Sequence, residues 1–294
     1  MKHPLSVTKL LPRHVIYRLM NVHAFFHRGA IKRAERALSA SSTGKKLTYN
    51  HLCEMNSKYP PHPDYGYDPI TLSHRGFERA EQIRRQDRKA HYYLELGAWD
   101  GMVSYWLQEC TTPSVSATAV DIRDEGLEDM ARETIQFYKV DASSLPFADD
   151  TFDFTFSYDA MEHFAEPEKA LAEAMRVTRH GGHVFLLFGP LYNSALGLHG
   201  YRSINVPYCQ HLFDRDTLDA YVHNHYVDLI NYKQLNGYSL SAFMRMFDQY
   251  NVARCRQIKD ARFVELIERY PQCFDGTDIN EYLVSHMEVL LRKE

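Results

Sequence analysis

Acidic and glycine residues follow three short apolar segments of the chain, at spacings that suit a nucleoside-containing ligand. Residues 92–96 are followed by Gly97 and Gly101, which permit a tight turn and the close approach of backbone N–H groups to a ligand. The second apolar segment ends at Asp121, and the third is followed by Asp141. Such acids can accept hydrogen bonds from a ribose diol and an adenine amino group. The glycine spacing is not G-x-G-x-x-G, which argues against a nicotinamide dehydrogenase.

From residue 92 onward, strand-like and helix-like patterns alternate. The fourth apolar run, 152–157, carries phenylalanine at every second position, and the helix predicted for 167–178 begins with a proline. This alternation predicts a doubly wound, mostly parallel seven-stranded α/β sheet. Ligands bind such sheets beyond the carboxyl ends of the strands, where the acids would lie. Further predicted elements are helices 75–89, 124–133, 240–250 and 257–269 and strands 227–232 and 285–291.

The 294-residue chain divides its charge unevenly. Residues 1–46 carry ten lysines and arginines and a single acid, Glu35, whereas the whole chain has a net charge of −4. A helix is predicted over 12–38, with an apolar face and six basic residues at other positions. Two interpretations stay open: a helix that covers the main domain, or one that lies on an anionic membrane surface. The arginine-rich, acid-poor composition also fits a mitochondrial presequence.

Composition and cysteine usage indicate a globular protein of the cytoplasm. Hydrophobic residues make up 45% of the chain and charged residues 24%. No run of 18 apolar residues occurs that could span a bilayer. The five cysteines are scattered without C-x-x-C spacing, which favours reduced thiols over disulfides or a zinc site. We therefore predict a cytoplasmic location, with contact to a membrane surface as the alternative.

The joint spacing of these motifs resembles that of the class I S-adenosylmethionine-dependent methyltransferases. The resemblance covers about residues 90–190 and is closest to the small-molecule branch that includes ubiquinone-biosynthesis enzymes, methyltransferase type 11. Residues 95–101 resemble the first glycine motif of the family, and 145–153 match its L-P-F-x-D-x-x-F-D segment. Residues 162–182 match its E-H-x-x-x-P pattern, which ends in G-G. One departure is Trp99, which stands where the family has its middle glycine.

The resemblance implies a metal-free methyl transfer from S-adenosylmethionine, with S-adenosylhomocysteine as the product. The protein then mainly orients the reactants and excludes water. The predicted cofactor-binding residues are Glu95, Gly97, Ala98, Trp99, Gly101, Asp121, Ile122, Asp141, Ala142 and Tyr158. The predicted domains are a basic helical extension at 1–89 and a methyltransferase domain at 90–294 with a lid insertion at 189–213.

Two loops bear on the methyl acceptor. Exocyclic base amines are methylated through an Asn/Asp-Pro-Pro-aromatic loop after the fourth strand, but here residues 157–163 read S-Y-D-A-M-E-H, which argues against nucleic acid. The insertion 189–213 is rich in tyrosine, asparagine and histidine. Such side chains can stack on a polar ring of a substrate and form hydrogen bonds with it. It loosely resembles a stretch in methyltransferases of bacterial surface-polysaccharide gene clusters. The predicted substrate-binding residues are Tyr192, Asn193, Tyr201 and Arg202.

A hydroxyl acceptor benefits from a general base, for which histidine is the usual choice. The candidates are His163, His199 and His211. The predicted function is methyl transfer to a hydroxyl of a small molecule, sugar or glycolipid. An RNA methyltransferase and a non-catalytic adaptor with the cofactor fold stay open as alternatives, although the intact cofactor acids argue against the adaptor.

Overall fold

The computed structural model describes residues 13–42, 44–60, 66–110, 115–200, 203–225 and 235–294. Four helices precede the first strand: α1 (Arg13–Phe26), α2 (Arg28–Ala40), α3 (Tyr49–Lys58) and α4 (Pro69–Gln86). The single helix predicted over 12–38 is therefore two helices that break at His27, two residues before the weak helix former Gly29. Among the described residues, no helix is both long and apolar enough to cross a membrane.

A seven-stranded sheet with the order β3-β2-β1-β4-β5-β7-β6 forms the centre of the fold. Its strands are β1 (Tyr92–Leu96), β2 (Ser116–Asp121), β3 (Gln136–Lys139), β4 (Phe152–Tyr158), β5 (Thr178–Phe188), β6 (Val252–Lys259) and β7 (Val284–Arg292). Strands β1 to β5 pair in parallel, and β7 pairs antiparallel to β5. The strand order reverses at β1, so a ligand crevice is expected at the carboxyl ends of β1, β2 and β4. The predicted doubly wound, mostly parallel sheet is confirmed.

Helices connect and follow the strands. They are α5 (Met102–Glu109), α6 (Asp129–Thr134), α7 (Pro167–Val177), α8 (Cys209–Leu212), α9 (Arg215–His225), α10 (Leu240–Phe247), α11 (Val264–Arg269) and α12 (Asn280–Leu283). Helix α7 begins at Pro167, as predicted, and buries Leu171 and Ala174 on one face. Helix α9 is capped by Asp214, whose Oδ1 accepts a hydrogen bond from the Thr217 N–H at 2.8 Å.

The chain forms two compact units, each with its own hydrophobic core. The helical unit takes the described residues of 1–64, 189–243 and 257–286, and the sheet unit takes those of 65–188, 244–256 and 287–294. The insertion 189–213 thus shares a core with the N-terminal helices, and α4 belongs to the sheet unit. The predicted boundary between residues 89 and 90 does not separate these units. The functional division into domains stays a prediction.

Several predicted elements differ from the observed ones at their ends. The helix predicted for 75–89 begins earlier, at Pro69, because Asp68 caps it by accepting from the Thr71 N–H at 3.0 Å. Residues 252–259 form strand β6, whereas a helix was predicted from 257; only 264–269 are helical there. Strand β6 is stabilised by its neighbour β7, which local periodicity cannot reveal. Helix α6 starts only at Asp129. The strand predicted for 227–232 lies outside the described residues.

Candidate active site

The turn after β1 folds over β2 at the carboxyl edge of the sheet. The N–H groups of Gly97 and Ala98 both donate to the Val120 carbonyl oxygen, at 2.9 and 3.1 Å. Gly97 has a φ of +68°, and a Cβ at this position would lie 2.5 Å from the Cβ of Ala160. Only glycine fits, because a side chain would be strained and would collide with the loop after β4. The two loops are therefore in direct contact.

The buried Glu95 and the half-buried Asp100 hold this turn. The Oε2 atom of Glu95 accepts from the Ser104 N–H at 3.1 Å and from its hydroxyl at 2.7 Å. The Oδ1 atom of Asp100 accepts from the Met102 N–H at 2.9 Å. Burial raises the pKa of Glu95 to about 8 and also raises the pKa of Asp100. A cationic ligand group beside them would favour their charged forms.

Helix α4 packs closely on α5. Gly76 of α4 lies against Met102, where a Cβ would approach the Met102 carbonyl oxygen to 2.7 Å. The indole N–H of Trp106 donates to the Ser73 hydroxyl at 3.2 Å across the same contact. This close approach brings one face of α4 to the edge of the sheet.

Two arginines on that face contact the acids of the site. Arg75 forms an ion pair with Asp100 at 3.7 Å, and Arg79, one turn later, forms one with Asp159 in the loop after β4. The Arg79 guanidinium lies 4.7 Å from the ring centre of Tyr158. Neither arginine is among the residues predicted for the site from the sequence. Their only signal was the four-residue spacing on a polar helix just before β1.

The acid at the end of β2 lies beside the glycine turn. The Oδ2 atom of Asp121 accepts from the Trp99 N–H and its Oδ1 atom from the Arg123 N–H, both at 3.0 Å. Each carboxylate oxygen keeps a further acceptor position for a ribose hydroxyl. The next side chain, Ile122, is 60% exposed and can cover an apolar ring face. The Trp99 indole packs against Gly126, so it is directed toward the loop after β2.

The residues after β3 and β4 complete this edge. Asp141 is exposed and its Oδ1 atom accepts from the Ser143 N–H at 2.8 Å, while Ala142 is buried. Tyr158, at the end of β4, is buried. The half-buried His163 lies in the turn that follows, where its N–H donates to the Ala160 carbonyl at 2.8 Å. Ala160 also lies against the glycine turn. The backbone of His163, one of the three predicted bases, is therefore held near that turn within the sheet unit.

These residues fit S-adenosylmethionine. Asp121 offers acceptors for a ribose diol, and the exposed Ile122 offers a surface for the adenine ring. The acids Glu95 and Asp100 suit the positive charges of the methionine end, since burial raises the pKa of both and a further cation beside them would favour their charged forms. The glycine turn leaves room for backbone approach.

The predicted base His211 lies in the core of the helical unit. Its Nε2 atom donates to the Asn193 carbonyl at 3.1 Å, and its ring stacks on Phe274 at 5.3 Å between centres. Burial lowers the pKa of His211 to about 4. A general base works best with a pKa near the operating pH, so these surroundings favour a structural role for His211.

His199, another residue predicted in the insertion, is also held by the backbone of the insertion. The Nε2 atom of His199 donates to the Pro190 carbonyl at 3.0 Å, which leaves Nδ1 as the basic nitrogen of the neutral ring. Gln210, which the sequence analysis missed, donates to the carbonyl groups of Tyr192 at 2.6 Å and Ser194 at 2.9 Å. Tyr201 and Arg202 lie outside the described residues.

Comparison with known proteins identifies the class of the sheet unit. Residues 94–186 match the family described as a methyltransferase domain. Together with the fold and the strand-end acids, this match shows that the chain carries a methyltransferase domain of the S-adenosylmethionine-dependent class, as the sequence predicted.

The chain is similar to curated methyltransferases over part of their length. It is 31% identical over 145 residues to methyltransferase GfsG of Streptomyces halstedii, covering 44% of this chain and 51% of the relative. It is 25% identical over 179 residues to the ubiquinone/menaquinone biosynthesis C-methyltransferase UbiE of Pasteurella multocida, covering 57% and 65%. Among solved structures, the YcgJ protein of Bacillus subtilis matches with 19% identity and a TM-score of 0.45, covering 75% of this chain and 99% of YcgJ.

Proposed function

We propose that this protein transfers the methyl group of S-adenosylmethionine to a hydroxyl group of a small molecule, sugar or glycolipid. The observation that carries the proposal is the contact between the glycine turn and the loop after β4, which holds His163 at the same sheet edge as the cofactor acids. Histidine is the side chain most often used to take a proton near neutral pH.

S-adenosylmethionine supplies an electrophilic methyl group on a cationic sulfur. The acceptor oxygen forms the new O–C bond as the S–C bond breaks, and the hydroxyl proton passes to the imidazole of His163. Asp121 orients the ribose, and Glu95 and Asp100 stabilise the cationic end through charge. Holding both reactants in line supplies most of the acceleration, because sulfonium is already a good leaving group.

The test of the base is a pair of matched variants, His163→Ala and His199→Ala, assayed with a panel of sugar and phenol acceptors. We expect His163→Ala to lower kcat by about 10²–10⁴-fold while leaving cofactor affinity unchanged. The reverse pattern would move the base to the insertion 189–213, whose role as a lid is also a prediction. A loss of only a few-fold in both variants would contradict base-assisted transfer to a hydroxyl.

The atom that receives the methyl group is tested directly by carbon-13 NMR of the labelled product. The proposal expects the chemical shift of a methyl ether. A methyl signal on carbon would contradict it and would match the C-methyltransferase named for the UbiE relative. RNA is a weaker candidate acceptor, because residues 47–294 carry 24 basic and 37 acidic residues and would repel a phosphate backbone.

A peripheral membrane location is the second part of the proposal. On α1, the side chains of Leu19, Val22, Phe25 and Phe26 are each at least half exposed. Arg28 lies over the Phe25 ring at 3.8 Å, so a cation borders this apolar surface. Exposed apolar stripes flanked by basic residues bind anionic bilayers by burial and by charge.

Vesicle sedimentation tests the location. We expect the protein to sediment with vesicles of phosphatidylglycerol and phosphatidylcholine and to be released by salt, since charge attraction is screened within about 10 Å at 0.1 M. Phe26→Glu should abolish sedimentation, whereas Ile70→Glu, which alters an equally exposed residue of α4, should not. Equal recovery with purely zwitterionic vesicles would contradict the proposal.

A further inference from the structure

The inward face of α1 forms one wall of a partly open cavity of the helical unit. The cavity has a volume of about 170 Å³ and is lined by Ile16, Tyr17 and Met20 of α1 and by Leu196 of the insertion. Cavities of about 150 Å³ with aliphatic walls bind molecules the size of benzene. The space therefore suits a ring or a short alkyl segment.

The polar groups of the cavity wall already have partners within the protein. Arg262 forms a fork with the buried Asp260, with distances of 2.9 Å from Nε to Oδ1 and 2.6 Å from Nη2 to Oδ2. The Ser285 hydroxyl lies 3.2 Å from the Ile258 carbonyl oxygen and 2.9 Å from Nδ1 of His286, which also lines the cavity. Because Asp260 and Arg262 pair with each other, the wall favours an uncharged occupant over an ionised one.

The two faces of α1 have different surroundings. Ile16, Tyr17 and Met20 line the cavity, while Leu19 and Val22 are exposed on the other side of the helix. The helix that presents the exposed apolar stripe is thus also a wall of the apolar cavity. An alkyl chain that lies at a bilayer surface beside α1 would find an apolar site directly behind that helix.

We propose that this cavity binds a short alkyl segment of an amphiphile whose head group is uncharged. The binding of this amphiphile does not depend on the proposed function. Burial of an alkyl segment supplies affinity without any charge, which suits a wall whose charged groups are already paired.

The experiment compares n-hexyl-β-D-glucoside with glucose as probes, titrated into the full chain by calorimetry. We expect the hexyl glucoside to bind at least tenfold more tightly than glucose. Leu196→Trp, which fills the cavity, should remove this preference, and Met20→Trp should do the same from the opposite wall. Phe26→Glu should keep the preference while losing vesicle binding. Circular dichroism identifies any variant that fails to fold. If one cavity-filling variant is unfolded, the binding preference of the other one tests the inference.

Equal binding of the two probes, or an unchanged preference in a folded filling variant, would overturn the inference. Hexyl glucoside binding that depends on Leu196 supports the cavity assignment even if no hydroxyl acceptor is methylated. The absence of a methylated hydroxyl acceptor would contradict the proposed function but not the cavity assignment. The failure of one proposal can therefore be distinguished from the failure of the other.

Discussion

Polar residues at the sheet edge and in the insertion 189–213 have different roles, although both regions were predicted to belong to the site. At the sheet edge, Glu95 and Asp121 each accept hydrogen bonds from backbone N–H groups of nearby turns. In the insertion, His211 and Gln210 donate to carbonyl groups of the insertion itself. At the sheet edge, these hydrogen bonds hold carboxylates in place to accept further hydrogen bonds from a ligand. In the insertion, the side chains supply hydrogen bonds that the carbonyl groups of a long irregular segment need.

The difference follows from the regularity of the backbone. Strands β1 and β2 pair their backbone groups with neighbouring strands, so the residues at their ends are available for chemistry. In its described residues, the insertion contains one short helix, α8, and its remaining carbonyl groups need side-chain donors. Histidine and glutamine richness in a buried loop is therefore weak evidence for catalysis.

The largest expected effect concerns the pH dependence of stability through His211. Because burial lowers its folded pKa to about 4 from 6.5, its contribution to the free energy of unfolding is complete above pH 6.5 and is lost as the pH falls toward 4. The loss should reach about 3 kcal/mol. Urea denaturation from pH 4 to 8 should show this slope, and His211→Gln should remove it.

The matched control for His211 is His223→Gln, which changes an exposed histidine of α9 and should keep the slope. An unchanged slope in His211→Gln would mean that the ring is not held neutral in the core. The structural role that we assign to the polar side chains of the insertion would then be wrong.

The next effect concerns the acid at the end of β2. Asp121→Ala should weaken S-adenosylmethionine binding by about 1.5–3 kcal/mol, since hydrogen bonds to a charged group are lost. Calorimetric titration measures this change. Asp124→Ala is a suitable control, because Asp124 is a half-buried acid that pairs with Lys139 outside the predicted cofactor residues. Unchanged affinity in Asp121→Ala would refute the assignment of the ribose acid.

A smaller effect separates steric fit from backbone strain at the glycine turn. Gly97 and Gly181 have φ angles of +68° and +77°, but only Gly97 faces a close neighbour, while nothing lies within 4 Å of a Cβ at Gly181. Each alanine variant should lose about 1–2 kcal/mol from strain, and Gly97→Ala should lose about 1–2 kcal/mol more from overlap with Ala160. Thermal denaturation measures both.

The affinity for the cofactor can be measured in the same two variants, Gly97→Ala and Gly181→Ala. Gly97→Ala should weaken S-adenosylmethionine binding at least tenfold, and Gly181→Ala should leave it unchanged. Equal effects of the two substitutions on stability and binding would show that the contact between the two loops does not form the site.

The smallest effect is a proton released when the cofactor binds. The pKa of Glu95 is about 8 in the structure, so the carboxyl group is largely protonated at pH 7. A cationic ligand lowers this pKa, so binding should release less than one proton at pH 7, and affinity should rise as the pH rises toward 8. Calorimetry in buffers of different ionisation enthalpy measures the release, and Glu95→Gln should abolish it.

The sequence by itself determined the sheet and its ligand edge. Strands of alternating or continuous apolar residues, the glycines at 97 and 101 and the acids at 121 and 141 are all features of short segments. Local spacing fixes the direction of each strand, and the topology of a parallel sheet then places the strand ends at one edge. The sheet and its ligand edge were therefore predictable from these local features, and the methyltransferase domain from the resemblance of residues 90–190 to the motifs of that family.

Only the tertiary structure decided which other residues join that edge and which do not. Arg79 reaches Asp159 because α4 packs closely on α5 at Gly76, and nothing in the local sequence specifies that approach. His211 resembles a catalytic residue by type but lies in a core built from segments far apart in the chain. Hydrogen bonding and burial depend on such distant neighbours, so residue type and spacing alone could not assign these roles.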